Sequence, residues 1–327
     1  MDGLGFISKK ASKFVSKWHT RFYRRYPRLY KAGYMSAEGD KEMDRRDGPV
    51  YRYIARGARR LGRTLQSGGY DAVVCVHVIP AMMMTALKQA WSACPVFCFV
   101  ATDYTCSPTV GACTPDICAI PHEELTEEFV ACGIDRESIL PAGIPVRRGF
   151  RGKALGLPET GRHIVLMSGS IGCGPMGDVA EDLDMRMADG DFATVLCGSN
   201  KQMRYALELR RLYRVEAMGF TTQVQLYMDS ADVLVSKPGG ISITEAGTRG
   251  VPLLLADMVG GCETRNEAFF TAHGWAASCP PDNMAASALA FLEDEQQRQA
   301  ITAAQSRDFD GLAADRVAAA VLARCKK

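Results

Sequence analysis

A pair of glycines directly after a predicted strand is the strongest chemical signal in the sequence. The apolar run over residues 231–235 predicts a short buried strand, and Lys237, Gly239 and Gly240 follow it just before a helix that is predicted to begin near Ser242. The first N–H groups of a helix lack intrahelical partners, and the helix dipole adds partial positive charge there. We therefore expect this turn to bind an anion such as a phosphate.

Acidic and amide side chains follow this turn along the chain. Glu245 is predicted in the first turn of the helix, where a carboxylate is placed to accept two hydrogen bonds from a ribose diol. A second predicted strand over residues 251–256 leads to another Gly-Gly turn, after which Glu263 and Asn266 open the next helix. The alternative is that both turns are ordinary connections of a parallel sheet, since isolated glycine signatures are weak.

The order of these residues resembles the nucleotide-sugar site of glycosyltransferases with two Rossmann-like domains. The likeness is to the processive diacylglycerol glycosyltransferases and plant monogalactosyldiacylglycerol synthases, which are related to the peptidoglycan N-acetylglucosaminyltransferase. The residues that carry the first part of the family's motif are Ser236, Lys237, Gly239, Thr244, Glu245, Ala246, Gly250 and Pro252. In the second part Glu263 and Asn266 are kept, whereas Gly260 stands in place of proline and Cys262 in place of glutamine.

The resemblance implies a UDP-sugar as the donor substrate and assigns residues to its parts. Gly239 and Gly240 are expected at the phosphate or nucleotide edge, and Glu245 at the ribose. Glu263 and Asn266 are expected at the sugar or the diphosphate. The charge that develops on the departing diphosphate would be stabilised by backbone N–H groups and helix N-termini, with no obligatory cofactor or metal.

Three further features complete the predicted donor site. A glycine-rich loop over residues 169–175 follows a predicted strand and precedes a helix, which is the context of a phosphate cradle. The segment 213–220 ends in two residues whose backbone, by the resemblance, faces the uracil. Cys262 has no amide with which to bond a sugar from two sides, so the donor stays open between UDP-glucose, UDP-galactose and UDP-N-acetylglucosamine. The predicted donor-binding residues are Gly169, Gly172, Gly219, Phe220, Lys237, Gly239, Gly240, Thr244, Glu245, Cys262, Glu263 and Asn266.

Strands and helices alternate along most of the chain, which indicates parallel sheets with right-handed crossovers. The predicted fold class is α/β, and the resemblance implies two Rossmann-like domains facing a cleft, the GT-B type. We expect an acceptor-side domain over residues 1–147 and a nucleotide-sugar-binding domain over 148–309. The remaining residues, 310–327, are predicted to form a terminal helix that crosses back to the first domain.

Two polar residues of the first half stand near the ends of predicted strands, where parallel sheets bind their ligands. His77 lies in the apolar run over residues 70–78 and is expected to be a hydrogen-bonded core histidine. Asp103 follows the strand predicted over 95–101. The family has a Thr-Asp-aromatic sequence at this place, so the resemblance implies that Asp103 lies on the acceptor side.

The resemblance leaves the catalytic base unassigned. Relatives begin with a strand and a glycine-rich loop that ends in histidine, and this histidine is thought to be the general base on the acceptor hydroxyl. The present sequence offers no counterpart, so we expect a first domain that is truncated at its N-terminus, by a late gene start or as a natural fragment. An unpaired sheet edge and exposed apolar surface would follow, and this chain alone is expected to be poorly soluble or inactive.

Residues 7–34 are rich in lysine and arginine. Ile7, Phe14, Trp18 and Phe22 recur at helical spacing opposite the basic residues, as in a helix that lies on an anionic membrane. A helix that packs on the core and solvates its basic face explains the pattern equally well. No nucleic-acid fold signature follows, so nucleic acid is not expected as a partner.

Composition places the protein in a reducing compartment, because most of its twelve cysteines fall in apolar predicted strands as small buried hydrophobes. Cys106, Cys113, Cys118 and His122 match no standard zinc spacing, and no metal site is expected. No run approaches the ~20 apolar residues of a transmembrane helix. We expect a cytoplasmic protein that is peripheral on the inner face of the cell membrane.

The hypothesis that unites these features is an enzyme that transfers a hexose from a UDP-sugar to a membrane lipid, with diacylglycerol as the preferred acceptor. Two alternatives stay open. One is transfer of N-acetylglucosamine to a lipid-linked cell-wall precursor. The other is a nucleotide-sugar-binding protein that has lost catalysis or needs a partner chain, which Cys262 and the absent histidine favour.

Overall fold

Two parallel β-sheets, each covered by helices, form the framework of the computed structural model. The structure describes residues 3–8, 48–147, 149, 156–158, 160–257 and 260–325. The amphipathic segment predicted over residues 7–34 lies outside the described residues, apart from Ile7 and Ser8. The predicted α/β class is confirmed.

Every strand pair in the two sheets is parallel. The strands are β1 (Ala72–Cys75), β2 (Val96–Val100), β3 (Ile117–Ile120), β4 (Ile139–Pro141), β5 (His163–Met167), β6 (Phe192–Leu196), β7 (Val215–Met218), β8 (Val233–Ser236), β9 (Leu253–Leu255) and β10 (Ala277–Ser278). The sheet orders are β1-β2-β3-β4 and β10-β9-β8-β5-β6-β7.

Helices connect most of these strands, as parallel pairing requires. In the described residues they are α1 (Gly3–Ile7), α2 (Pro49–Ala55), α3 (Ala58–Gly68), α4 (Val78–Ala90), α5 (Thr126–Ala131), α6 (Met176–Arg186), α7 (Lys201–Arg210), α8 (Val224–Asp229), α9 (Gly240–Arg249), α10 (Cys262–Ala272), α11 (Met284–Glu293), α12 (Glu295–Asp308) and α13 (Ala313–Cys325). None of these helices is long and apolar enough to cross a membrane.

The described chain divides into two compact units. The first holds the described residues up to Pro145 together with those from Leu312 onward, and the second runs from Val146 to Gly311. In the first unit, Val317 and Val321 of α13 pack against the four-stranded sheet at Cys98, Val100 and Ile117. The core of the first unit is therefore completed by the last helix of the chain.

Strand β1 lies at the edge of the four-stranded sheet and carries an exposed valine at 74, and the exposed Val76 follows it. Parallel strands are normally buried on both faces, which is why this apolar run reads as an interior strand. Among the described strands, β1 pairs only with β2. Its outer edge is therefore open within this part of the chain, as the sequence predicted.

Val50, Ile54, Ala58, Leu61 and Leu65 recur at the spacing of a single helix face, but the structure has two helices here, α2 and α3. The chain between them bonds at shorter range: the Arg56 N–H donates to Tyr53 O (3.3 Å) and the Gly57 N–H donates to Ile54 O (2.9 Å). These i→i−3 hydrogen bonds tighten the turn and change the direction of the chain between α2 and α3. A Cβ at Gly57 would lie 2.8 Å from Sδ of Met83, so a glycine lets this turn approach α4.

The second unit contains a buried ion pair between two of its helices. The Arg249 guanidinium at the end of α9 donates to both carboxylate oxygens of Asp229 at the end of α8, and both side chains are 8% exposed. The bidentate geometry satisfies both charges where water does not. It also fixes α9, which carries Glu245, against α8.

We expect Asp229→Asn to destabilise the second unit by about 3–5 kcal/mol, because it removes the bidentate counter-ion of the buried Arg249 guanidinium. The measurement is the free energy of unfolding from a urea titration. Asp182→Asn is the matched control: it breaks the exposed Arg186–Asp182 pair, which is worth under about 1 kcal/mol. Equal stabilities for the two variants would contradict the importance of the buried pair.

Candidate functional site

The order of strands in the second unit creates a natural binding crevice. Strand β5 pairs with β6 on one side and with β8 on the other, so the connections after β5 and after β8 leave toward different halves of the sheet. In open α/β sheets, ligands bind at this point, outside the carboxyl ends of the two strands. Met167 and Ser236, the last residues of β5 and β8, are direct partners in the pairing.

The loop after β5 holds three glycines with positive φ, at positions 169, 172 and 174. Gly172 has φ +65°, and a Cβ there would lie 2.2 Å from the carbonyl oxygen of Cys197. The loop is further fixed by hydrogen bonds from the Cys173 N–H to Ser168 Oγ (3.0 Å) and from Asn200 Nδ2 to Gly172 O (2.8 Å). Packing against the end of β6 therefore explains why a glycine is required at 172.

Lys237 joins the two turns at the crevice. A Cβ at Gly169 would lie 2.8 Å from Cε of Lys237, and one at Gly239 would lie 3.3 Å from its Nζ. The Nζ atom forms an ion pair with Glu263 at the start of α10, and the two side chains are 16% and 14% exposed. The lysine stem thus lies over one predicted glycine, and its ammonium group lies between the other and Glu263.

The structure brings two further predicted residues to this turn as scaffolding. Asn266 is fully buried, and its Nδ2 donates to the carbonyl oxygen of Pro238 (2.9 Å), which ties α10 to the turn after β8. The Thr244 hydroxyl donates to the Gly240 carbonyl (2.7 Å) inside α9. Their contacts with a donor substrate stay predictions, while their hydrogen bonds hold the turn.

Helix α9 begins at Gly240, earlier than the sequence predicted, so the placement of Glu245 in its first turn was wrong. The first intrahelical bond is donated by the Ile243 N–H to Gly239 O (3.1 Å). The N–H groups of Gly240, Ile241 and Ser242 precede that bond and point from the helix start. Glu245 therefore lies in the second turn, one turn beyond these donors.

The carboxylate of Glu245 is half-buried between two arginines. Burial raises the pKa of Glu245 above its ordinary value, and the positive charges of Arg147 and Arg249 act in the opposite direction. Arg249 also holds Asp229, so one guanidinium links Glu245 to the buried ion pair. Sequence reasoning missed both arginines; the i, i+4 spacing of Glu245 and Arg249 was the available signal for one of them.

The remaining predicted donor residues lie at the same edge of the sheet. Gly219 and Phe220 follow β7, which is three strand spacings, about 14 Å, from β8. The Phe220 side chain is 68% exposed, as a ring that receives a ligand face would be. Cys262 is the first residue of α10, directly before Glu263, and is partly exposed. No hydrogen bond among those described joins Gly219 or Phe220 to Lys237 or to the residues around it.

In the first unit, His77 is not the core histidine that the sequence predicted. It follows β1 as the N-cap of α4, is exposed, and its Nδ1 accepts from the Ile79 N–H (3.2 Å). Desolvation by its surroundings lowers the pKa of His77, and the Asp103 carboxylate opposes that effect. Asp103 follows the neighbouring strand β2. Pro80, in the first turn of α4, was the missed signal, since proline favours the start of a helix.

Comparison with known proteins gives matches for both halves of the chain. Residues 2–146 match the family model for monogalactosyldiacylglycerol (MGDG) synthase, and residues 178–307 match the model for glycosyl transferases group 1. Monogalactosyldiacylglycerol synthase 2 of Arabidopsis thaliana is 28% identical over 68% of this chain and 52% of its own length. The processive diacylglycerol beta-glucosyltransferase of Staphylococcus saprophyticus is 25% identical over 72% of this chain and 61% of its own. The chain spans about half the length of the curated plant relatives it matches.

Solved structures support the fold. The UDP co-structure of MnaA from S. aureus superposes with a TM-score of 0.64 at 13% identity, covering 82% of this chain and 79% of that one. At this identity the likeness shows the fold alone. It agrees with the GT-B type of architecture predicted from the sequence.

We expect Gly172→Ala to destabilise the second unit more than Gly190→Ala does. Both glycines have positive φ, which costs roughly 1–2 kcal/mol for a residue with a Cβ. Only Gly172 also has a backbone oxygen in the place of the new methyl group, whereas a Cβ at Gly190 meets nothing within 4 Å. Urea titrations measure the difference, and equal losses would show that the contact with Cys197 is dispensable.

Proposed function

This chain is a homologue of the MGDG synthases and of a processive diacylglycerol beta-glucosyltransferase, and from that premise we propose that it transfers a hexose from a UDP-sugar to the hydroxyl of a diacylglycerol-type membrane lipid. The acceptor class is taken from the names of these relatives. In the reaction the acceptor oxygen bonds to the anomeric carbon of the sugar, the bond from that carbon to the diphosphate breaks, and the hydroxyl proton leaves to a base.

The observation that carries the proposal is the close approach of the Lys237 side chain to Gly169 and Gly239, at the carboxyl ends of β5 and β8 in the second sheet. A leaving diphosphate gains negative charge as its bond to the sugar breaks. The N–H groups at the start of α9 and the Lys237 ammonium are fixed donors at that place, so they need no reorganisation as the charge develops. The proposal assigns this stabilisation to the protein's own groups, without an obligatory cofactor.

The other donor-site assignments belong to the same proposal. Glu245 would accept the ribose hydroxyls, and the loops at residues 169–172 and 219–220 would flank the diphosphate and the uracil. Glu263 and Cys262 would face the sugar. Asp103 is proposed as an acceptor-side residue, and the base that receives the hydroxyl proton stays unassigned. We place the protein at the cytoplasmic face of a membrane, with residues 7–34 contributing to its contact with anionic lipid.

One observation favours a second candidate. Cys262 stands where relatives have glutamine, and a thiol does not replace the two-sided hydrogen bonding of an amide. A nucleotide-sugar-binding protein without transferase activity would tolerate this change. Nucleotide binding without turnover in the assay below would support that reading.

We expect purified protein to convert diacylglycerol to a glycolipid with radiolabelled UDP-glucose, UDP-galactose or UDP-N-acetylglucosamine, as resolved by lipid chromatography. Lys237→Met should reduce turnover by about 10²–10³, the effect of removing a donor aimed at developing charge. Arg307→Met is the matched control, because it removes an exposed cation at the end of α12. Lys237→Met with wild-type turnover would overturn the site.

We expect UDP binding to weaken as pH falls through the raised pKa of Glu245, because the ribose hydroxyls donate to the ionised carboxylate. Above that pKa the contribution of Glu245 should be constant. Glu245→Gln should lower affinity about tenfold to a hundredfold at neutral pH, the worth of hydrogen bonds to a charged group.

Calorimetry across pH measures both effects. UDP's own phosphate titrates near pH 6, so the difference between wild type and Glu245→Gln isolates the carboxylate. The exposed Glu295→Gln on α12 serves as control. If the UDP affinities of wild type and Glu245→Gln change with pH in parallel, Glu245 does not bind the ribose.

A further inference from the structure

Helices α2 and α3 of the first unit carry a concentration of positive charge that the donor site does not explain. Between residues 49 and 68 the sequence has no acidic residue. Five exposed arginines lie on this pair of helices and the turn between them, interspersed with an exposed valine and tyrosine. The α2–α3 surface, as we name it, consists of Val50, Arg52, Tyr53, Arg56, Arg59, Arg60 and Arg63.

The packing of α2 and α3 determines which of their faces is exposed to solvent. The buried residues of the two helices include Tyr51, Ile54, Leu61 and Leu65, and they fix the apolar side against α4. The arginines fall between these positions and are left in solvent. Because the helices are held by their apolar face, the charged face is a rigid platform.

Within the described residues, these arginines have no acidic partner. No acidic side chain of the described chain forms an ion pair with any of them. Arg59 and Arg63 lie four residues apart within α3, and like charges at this spacing repel along a helical face. The whole protein has a formal net charge of only +2, so the excess is local. Such a surface is complementary to a dense array of anions.

The exposed apolar residues distinguish among anionic partners. Val50 is 40% exposed and Tyr53 is 47% exposed, and the Arg56 guanidinium lies 5.9 Å from the centre of the Tyr53 ring. An aromatic ring flanked by arginines suits the boundary between lipid headgroups and acyl chains. A nucleic-acid backbone offers no apolar layer for the valine.

We propose that the α2–α3 surface binds the headgroups of an anionic lipid bilayer. The inference rests on the proposed function in one respect: a diacylglycerol acceptor lies in a bilayer, so the enzyme must contact one. The surface continues toward the N-terminal segment, since Arg60 Nη1 donates to the carbonyl oxygen of Ile7 (3.2 Å). The sequence after Ser8 continues with Lys9 and Lys10.

The test is co-sedimentation with vesicles of phosphatidylglycerol and phosphatidylcholine, against vesicles of phosphatidylcholine alone. Wild type should bind the anionic vesicles and release as salt rises. The triple variant Arg56→Gln, Arg59→Gln, Arg63→Gln should bind roughly a hundredfold more weakly, from about a fivefold effect for each basic residue near the surface. The control triple Arg186→Gln, Arg307→Gln, Arg324→Gln removes the same charge elsewhere and should bind like wild type.

Calorimetric binding of UDP is measured on the same samples. Urea unfolding of the same samples shows whether the first unit of the triple variant is folded, and retained UDP binding separates a failure of this surface from a failure of the donor site. Equal vesicle binding by both triple variants overturns the proposal. Salt-sensitive binding to a single-stranded oligonucleotide that depends on the three arginines, without vesicle binding, overturns it in favour of nucleic acid.

Discussion

The close approach of two turns at the carboxyl ends of β5 and β8 is the constraint on which the candidate site depends. The Lys237 stem crosses the place where any side chain at 169 would begin, and its ammonium group reaches Glu263 on a third element. Three connections that are far apart in sequence therefore meet at one cation. The arrangement requires glycine at 169 for space and for the left-handed backbone, and it requires adjacent parallel strands to bring the turns together.

The charge balance at this cation bears on how an anion is held. Glu263 already neutralises Lys237, so the pair presents little net charge to an arriving diphosphate. The N–H groups at the start of α9 are uncharged donors, and their position is fixed by Asn266, which binds the turn before the helix, and by the Asp229–Arg249 pair at its far end. In the proposed reaction these N–H groups would share the developing charge of the diphosphate with Lys237, whose position Glu263 fixes.

The sequence predicted the parts of this site that depend on local rules. Apolar runs and turn residues that lie near one another in the chain predict the strand ends, the Gly-Gly turn and the position of the next helix. The fold class was predicted from the same alternation, and strand boundaries differ by only a few residues. Glu245 was misplaced by one turn because glycine at 240 gave no sign that the helix had already begun.

What the sequence did not predict depends on contacts between distant segments. The role of Arg147 beside Glu245 needs the return of the chain to α9, and the side-chain pairing of Lys237 with Glu263 needs the register of β8 and β9. His77 was misread because an apolar run extends past the end of β1 into α4, so periodicity alone did not mark the boundary. The helical spacing of Arg52, Arg56 and Arg60 was visible, but their shared exposure follows only from packing on α4.

In both sheets, polar groups lie at the carboxyl ends of neighbouring strands, but the two sheets carry different kinds of polar group. At the ends of β1 and β2 the first unit holds His77 and Asp103, and the Asp103 carboxylate acts electrostatically on the His77 ring. At the ends of β5 and β8 the second unit holds backbone donors and a neutralised lysine. Removing a proton from an acceptor needs a group that titrates, whereas stabilising a departing diphosphate needs fixed donors that do not. The transfer that we propose has both demands and would use the groups of both sheets, whereas nucleotide binding alone would use only those of the second.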